Sequence, residues 1–522
     1  LSAIGKNPLG EITARIGQMP SSEIDRTIRV IVKFEPIKRF TIGGSEAAVV
    51  VRHHFSDEWI GPKMTAQPEK GAEHQEALAE WGHVDKFSRF IPRNPASRLV
   101  DLQVSVKVCR MLIRSSFVCV CLLNSLMAGP LETARALKGT QFAGWTYGSK
   151  AADKQVDCVQ FMSAVISEVL QRPLDVEERD AVNINHGWTA EEIQAKASAG
   201  VDPRLAGVKY ALVDFMQLGT AIDAKEALPG DFIQYWKTGK EGKWFGHASI
   251  ISSVQDGKAR LFGSHKATNG IAESDFELKL AGKDRHVFVA RLADSDLQKA
   301  HTRTDGAVFL PKALSRVEGG AVHWTFHSKR WGMYAIQLER SSKGKQNTMI
   351  EVSALNRSAS WQLAENFPQT AALTVYFEKP GEYPITVKGT ETNLDYSYLA
   401  LRPAPEGNGR PIEEVDGKVV LNSSDAMVRG VNLRYEPNPK KRCLGFWSNP
   451  NDRAEWRFTV PEAGTYRVEI DQGCGKDHGG STAYVAVGKQ RLEFQVEDTG
   501  HFQNFKTRQL GTLTLARHGK HT

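Results

Sequence analysis

The C-terminal half of the chain repeats itself, and that repeat narrows the fold more than any other feature. Trp324-Thr-Phe326, Gly332-Met-Tyr334 and Ile336-Gln-Leu338 return as Trp456-Arg-Phe458, Gly464-Thr-Tyr466 and Val468-Glu-Ile470, with Trp to Gly eight residues and Trp to Tyr ten residues in both. Ile350-Glu-Val-Ser-Ala354 answers Ala483-Tyr-Val-Ala-Val487, and Leu373-Thr-Val375 with Gly381 answers Leu513-Thr-Leu515 with Gly519. Successive side chains of a strand point to opposite faces, so apolar residues at every second position mark strands with one buried face. Two copies of one all-β unit therefore predict two small β-sandwiches, at 315–405 and 411–522. Copy one runs on past Gly381 through Ile385-Thr-Val387 and Tyr396–Leu401, whereas copy two reaches Thr522 just after Gly519. By its own repeat the second sandwich is expected to be short of about 20 residues and at least one closing strand, leaving an edge or a core face open.

A different pattern occupies residues 138–295. From Val156 to Leu170 apolar residues fall at Phe161, Met162, Val165, Ile166, Val169 and Leu170, one face of a helix that Pro173 ends. Cys158 then sits in the first turn, where the helix dipole favours a thiolate. The next stretch, to Leu228, reads as largely helical, with a cap at Thr189-Ala-Glu-Glu192 and a second helix over Arg204–Met216. A meander follows. Pro229-Gly230-Asp231 leads into a strand to Trp236, Gly246-His247 opens a strand to Val254, Asp256-Gly257 is a hairpin turn, Ala259–His265 is its partner, and Val287–Leu292 is a further strand.

The N-terminal 110 residues show no sustained periodicity, and are read as a non-folding upstream extension. Met111-Leu-Ile-Arg114, the apolar run Phe117–Met127 and Ala128-Gly129 have the charged, apolar and small-residue order of a secretory signal peptide over 111–128. The run is shorter than the roughly 20 apolar residues a bilayer needs. Export, to a periplasm or outside the cell, is the expected localisation, with no membrane span after cleavage near Ala128 or after Ala134-Arg135-Ala136. In that oxidising setting Cys443 and Cys474 are available to pair. The six cysteines show no CxxC and no zinc-ligand spacing. The net charge of +7 is spread along the chain without a basic block, so nucleic-acid binding has no support.

The order Tyr147-Gly148, Asp157-Cys158, Pro229-Gly230-Asp231, Gly246-His247 and His265 resembles the NlpC-type cysteine peptidases and amidases of cell walls. The resemblance implies an α+β papain-like fold in which Cys158 is the nucleophile, His247 the general base and His265 the residue that orients it, with Asn269 and Asp256 as substitutes for His265. A thiolate needs an adjacent imidazole, and that imidazole needs a partner on its other nitrogen. Tyr147 and Asp157 are candidates for the oxyanion or substrate side. No cofactor or metal is implied. The family pattern Asp-Cys-Ser-Gly after Trp-Gly-Gly is here Asp157-Cys158-Val159-Gln160 after Tyr147-Gly148-Ser149, and residues 171–228 are an insertion.

Trp447, Asp452, Trp456, Gly464-Thr-Tyr466, Gly473-Cys-Gly475 and Gly479-Gly-Ser481 resemble the β-sandwich modules of secreted α-L-fucosidases and sulfatases. That likeness implies a glycan-binding or spacer role, with Trp447 and Phe502, beside Phe446 and His501, as candidate sugar contacts. Trp324, Tyr334, Trp456 and Tyr466 are read as sandwich core. Asp452, Asp471 and Asp477 lack the spacing of a calcium loop. The sequence thus predicts an α+β papain-like cysteine hydrolase followed by two all-β sandwiches, acting on a peptide or peptidoglycan-like substrate. A non-catalytic glycan- or surface-binding protein is one alternative. An acyltransferase or transglutaminase using the same Cys-His pair is the other.

Overall fold

A computed structural model describes the strands Thr27–Phe34 (β1), Phe40–Ile42 and Ser45–Ala47, and residues 129–522 apart from 185–187, 240, 279–283, 341–347, 364–372, 390–395, 408–409 and 489. The stretch read as a signal peptide, 111–128, lies outside the described residues. The chain divides into two units, Leu1–Ile37 with Met127–Thr522, and Lys38–Leu126. In the smaller unit the described part is the antiparallel pair Phe40–Ile42 and Ser45–Ala47.

Residues 129–297 combine helices with one six-stranded sheet. Helix α1 spans Pro130–Gly139 and α2 spans Cys158–Val169. The sheet holds β2 (Thr220–Ile222), β3 (Phe232–Thr238), β4 (Trp244–Gln255), β5 (Lys258–His265), β6 (Gly270–Glu277) and β7 (Arg285–Arg291), in the order β6-β5-β4-β3-β7-β2 and antiparallel throughout. The apolar stripe of α2, Phe161, Met162, Val165, Ile166 and Val169, is buried against Phe232, Ala248, Ile250 and Phe262 of the sheet. Each such side chain contributes about 1.5–3 kcal/mol. The helix starts two residues later than the apolar pattern begins, because Val156 pairs with Tyr147 in a short parallel bridge. Thr189 caps the helix Ala190–Ala199, its side chain accepting from the Glu192 N–H. The helix expected over Arg204–Met216 is broken into a 3-10 turn, Pro203–Ala206, and a π-helical segment, Tyr210–Phe215. Gly207 divides them at φ +44°, where a β-carbon would lie 2.5 Å from Gln234 Oε1.

The first sandwich packs two five-stranded sheets on one core that includes Trp324, Phe326, Tyr334, Ile336, Leu338, Val375 and Leu399. One sheet places β8 (Val308–Pro311), β11 (Tyr396–Pro403), β9 (Gly332–Arg340) and β10 (Leu373–Phe377) side by side. In the second sandwich, β12 (Cys443–Trp447), β1, β13 (Gly464–Cys474) and β14 (His501–Leu515) take the same order. Tyr466 is fully buried there, and Trp456 packs from the rim of the core, its indole donating to the Asn422 carbonyl. The position that the repeat assigns to a closing strand is held by β1, which falls within the N-terminal stretch read as non-folding. Cys443 on β12 and Cys474 on β13 are buried thiols and not a disulfide. The strand between them separates their backbones by two strand spacings, and Cys474 is level with Phe34 whereas Leu444 is level with Val32, so they are further offset along the strands and beyond the reach of a disulfide.

A buried ion cluster joins residues 129–297 to the first sandwich. Arg172 holds Glu178 by two bonds of 2.7 and 2.6 Å. Arg303 binds Asp305, Asp175 (2.6 Å) and Glu178 (3.1 Å), while Arg402 reaches Asp175 (3.2 Å) and Glu339 (3.0 Å). All three guanidiniums lie over the ring of Phe309.

Candidate active site

Asp157 caps α2 in a reciprocal box. Its carboxylate accepts from the Gln160 N–H at 2.8 Å, and the Gln160 side chain accepts from the Asp157 N–H at 3.1 Å. The Gln160 amide also donates to the Ser149 carbonyl at 3.0 Å, tying the Tyr147–Ser149 loop to the helix start. Gln160 thus both closes the capping box and makes this tether. The Asp157 carboxylate is therefore occupied by helix capping. Burial raises its pKa, and the N–H groups of Gln160 and Val159 oppose the rise.

Cys158 is the first residue of α2 and only 6% exposed. It meets the sheet where β4 and β5 part. The two strands pair from Ile250↔Phe262 through Gln255↔Lys258, and not on the His247 side of Ile250. There the Ala248 N–H is near enough to the Cys158 sulfur to pull its pKa down. Across the same opening His247 Nε2 lies 2.8 Å from His265 Nδ1, bridging the separated strands through side chains. His265 Nε2 is 3.3 Å from the Leu261 carbonyl and 3.4 Å from Ser274 Oγ. A proton on His265 Nε2, donated to Leu261, leaves Nδ1 as an acceptor for His247 Nε2–H. The second nitrogen of His247, Nδ1, is then the one left to act as a base.

The electrostatics are those of a buried neutral pair. Burial pushes the Cys158 thiol up to about 11, while the N–H of Ala248 and the helix-start N–H groups pull it down. The helix dipole was expected to favour a thiolate, but desolvation outweighs it. Burial, then His265 and Lys237, bring His247 down to about 3. His265 is lowered too, chiefly by burial.

Tyr147 is half-buried, and its phenol is raised by burial and by the proximity of Cys158 and Asp157. Tyr235 was not singled out from the sequence. It lies directly across the β3–β4 ladder from His247, with ring centroids 5.5 Å apart, and its phenol is raised by burial and by Cys158. The register, once a strand pair is assumed, is the signal that finds it. Asp231 accepts from Arg291 at 2.8 Å through both oxygens, so the Pro229-Gly230-Asp231 motif pins β3 to β7. Asp256, at φ +51°, belongs to the hairpin turn at the opposite end of β4. Asn269 lines a cleft of about 210 Å³ with Lys138, Phe142 and Trp145, a cleft that does not include Cys158 or His247.

Trp447 and Phe502 come to the same end of the second sandwich's first sheet, where Phe34 is in register with both Trp447 and Cys474, and Cys474 with His501. Trp447 is half-buried on the core and its indole donates to the Asp452 carbonyl at 2.9 Å. Phe502 packs on His478. Phe446 stands edge-on to Trp331, with Arg434 over both rings. The Asp452 carboxylate accepts from the N–H groups of Val431, Asn432 and Leu433. Among the described residues no group of three or more His, Cys, Asp or Glu is placed to hold a metal.

No protein-family model and no curated protein matches the sequence. Among solved structures, the chain is similar to the mosquito-larvicidal Cry4Aa toxin from Bacillus thuringiensis at 10% identity and a TM-score of 0.19, over 52% of this chain and 73% of the toxin. It is similar to a Paenibacillus xanthan lyase at 12% identity and a TM-score of 0.15, over 52% of this chain and 29% of the lyase. Likenesses this slight carry no argument about the fold or the chemistry.

Proposed function

We propose that residues 129–297 form a papain-like cysteine amidohydrolase related to the NlpC type, exported and acting on an amide bond of a peptide or peptidoglycan-like substrate. The observation that carries this reading is the contact between His247 Nε2 and His265 Nδ1, with Cys158 at a helix start beside the same strand opening. In the reaction, the Cys158 proton passes to His247 Nδ1 as sulfur bonds the carbonyl carbon. The N–H groups at the start of α2 receive the oxyanion. The C–N bond breaks, and His247 gives its proton to the departing amine, leaving a thioester. Water then attacks with His247 taking its proton, and the acid leaves as the thiol re-forms. Separately neutral groups suit this exchange, because each charge made by the transfer faces the other. The sandwiches serve as spacer or glycan-binding modules.

Thiol trapping tests the reading. A thiol raised to about 11 reacts slowly with limiting iodoacetamide at pH 6, and Cys158 of the full chain is expected to label faster than that only through proton transfer to His247. His247→Ala is expected to remove that advantage. Labelling left unchanged by His247→Ala overturns the reading. It would instead favour a non-catalytic surface-binding protein, for which the 6% exposure of Cys158 speaks. Product analysis with and without an added amine separates hydrolysis from acyl transfer.

A further inference from the structure

The two sandwiches hold one strand position in opposite ways. In the first, β11 lies between β8 and β9 and is antiparallel to both. In the second, β1 lies between β12 and β13 and is parallel to both. The flanking strands are mutually parallel in each case, so the two slots have the same frame and only the occupant is reversed. The walls correspond as well. Ile336 and Leu338 of β9 are the repeat equivalents of Val468 and Ile470 of β13, and all four are buried in their cores. Leu401 and Leu399 are in register with the first pair, Ile28 and Val30 with the second. Alternation reads the same in both directions, so an apolar–polar strand satisfies the wall whichever way it runs. The backbone ladder does distinguish direction, because parallel bonds are slanted and slightly weaker per residue. β1 also meets its second neighbour in pieces. It pairs with Lys418–Leu421 over its first half, then with β12 at Val32↔Leu444 and Phe34↔Trp447 with a register shift between them.

We propose that the slot between β12 and β13 is a strand-accepting site, that β1 fills it exchangeably, and that its preferred occupant is an extended peptide antiparallel to β13 with apolar residues at alternate positions, as in β11. Recognition is by β-augmentation. Main-chain hydrogen bonds to β12 and β13 give the affinity, and Val468 and Ile470 select apolar side chains at every second position.

Two measurements test this. In the unaltered chain, amide hydrogen exchange at Thr27–Phe34 is expected to be about 100-fold faster than at Tyr396–Pro403, as for a separately opening strand. Equal protection overturns the proposal. In the full chain carrying Val30→Pro and Val32→Pro, which removes two ladder donors from β1, a synthetic peptide with the Tyr396–Pro403 sequence is expected to bind and to slow exchange at Val468–Gln472. A photo-crosslinker on the peptide's N-terminus is expected to mark the Cys474 end of β13, and one on its C-terminus the Gly464 end. Absence of binding, protection elsewhere, or the reverse crosslinking pattern overturns it. Should the double variant fail to fold, the exchange comparison in the unaltered chain decides alone.

Discussion

Arg303 and His247 are both buried nitrogen bases, and they are held in opposite states. Arg303 is fully enclosed but faces Asp175, Glu178 and Asp305. Burial would raise the Glu178 carboxyl, yet Arg172 and Arg303 outweigh it and hold it well below the usual range. Asp305 is lowered in the same manner by Arg303. Every charge in this cluster has an opposite charge beside it. His247 has His265 and Tyr235 about it, and burial, then His265 and Lys237, keep it neutral. One cluster has its protonation fixed and joins two parts of the molecule. The other keeps two imidazoles neutral and in contact, His247 through Nε2 and His265 through Nδ1.

Breaking the charged cluster gives the largest expected effect. Arg303→Ala leaves three carboxylates poorly compensated and is expected to destabilise the chain by about 3–5 kcal/mol in urea denaturation. Removing a pair together is milder. Arg172→Met with Glu178→Leu is expected to cost less than Arg172→Met alone, which would strand a buried carboxylate. The reverse ranking would mean that the cluster is not held by charge.

The neutral pair is read through acid. His247 has its folded pKa depressed to about 3. The unfolded chain therefore binds the extra proton, and this contribution to stability is present above pH 6.5 and lost as pH falls toward 3. The expected slope approaches about 1.4 kcal/mol per pH unit. The depressed carboxylates lose theirs only below their unfolded values near pH 4. Between pH 6.5 and 4.5 the chain should lose stability relative to His247→Gln, and parallel unfolding curves would show that His247 is not held neutral. Removing the Asp157 cap by Asp157→Ala is expected to lower stability by about 1 kcal/mol. Least of all, Cys158→Ala is expected to change stability by about 1 kcal/mol or less while abolishing the His247-dependent iodoacetamide labelling.

What could be read from the sequence was what depends on near neighbours. The apolar stripe of α2, the Asp256-Gly257 hairpin and the Thr189 cap are local patterns, and each is present. The repeat is equally visible in the corresponding strand orders of β8-β11-β9-β10 and β12-β1-β13-β14. The Asp157–Gln160 capping box is a local pattern of the same kind, Gln three residues after Asp at a helix start. Distant effects were not legible. Nothing around Thr27–Phe34 announces partners at Lys418–Leu421 and Gly464–Cys474. Gly207 breaks a helix because Gln234 passes close by, and desolvation of Cys158 depends on the sheet closing over it. Cys158, His247 and His265 were nominated by motif order; the structure puts the two imidazoles in contact at 2.8 Å and Cys158 near Ala248, the residue after His247. Asp157 was nominated for chemistry and is engaged in capping. Trp447 and Phe502 sit half-buried against neighbours.

The strand β1 also sets the order of events during synthesis. Its partner β13 emerges about 440 residues after it, which at 5–20 residues per second is roughly 20 to 90 s of translation. Throughout that interval Thr-Ile-Arg-Val-Ile-Val-Lys-Phe has apolar residues and an unmet backbone ladder, the composition that pairs with neighbouring chains. Closing so long a loop also places its pairing among the slowest steps of folding. Crowded polysomes are then a setting in which this waiting strand can pair with a neighbouring chain.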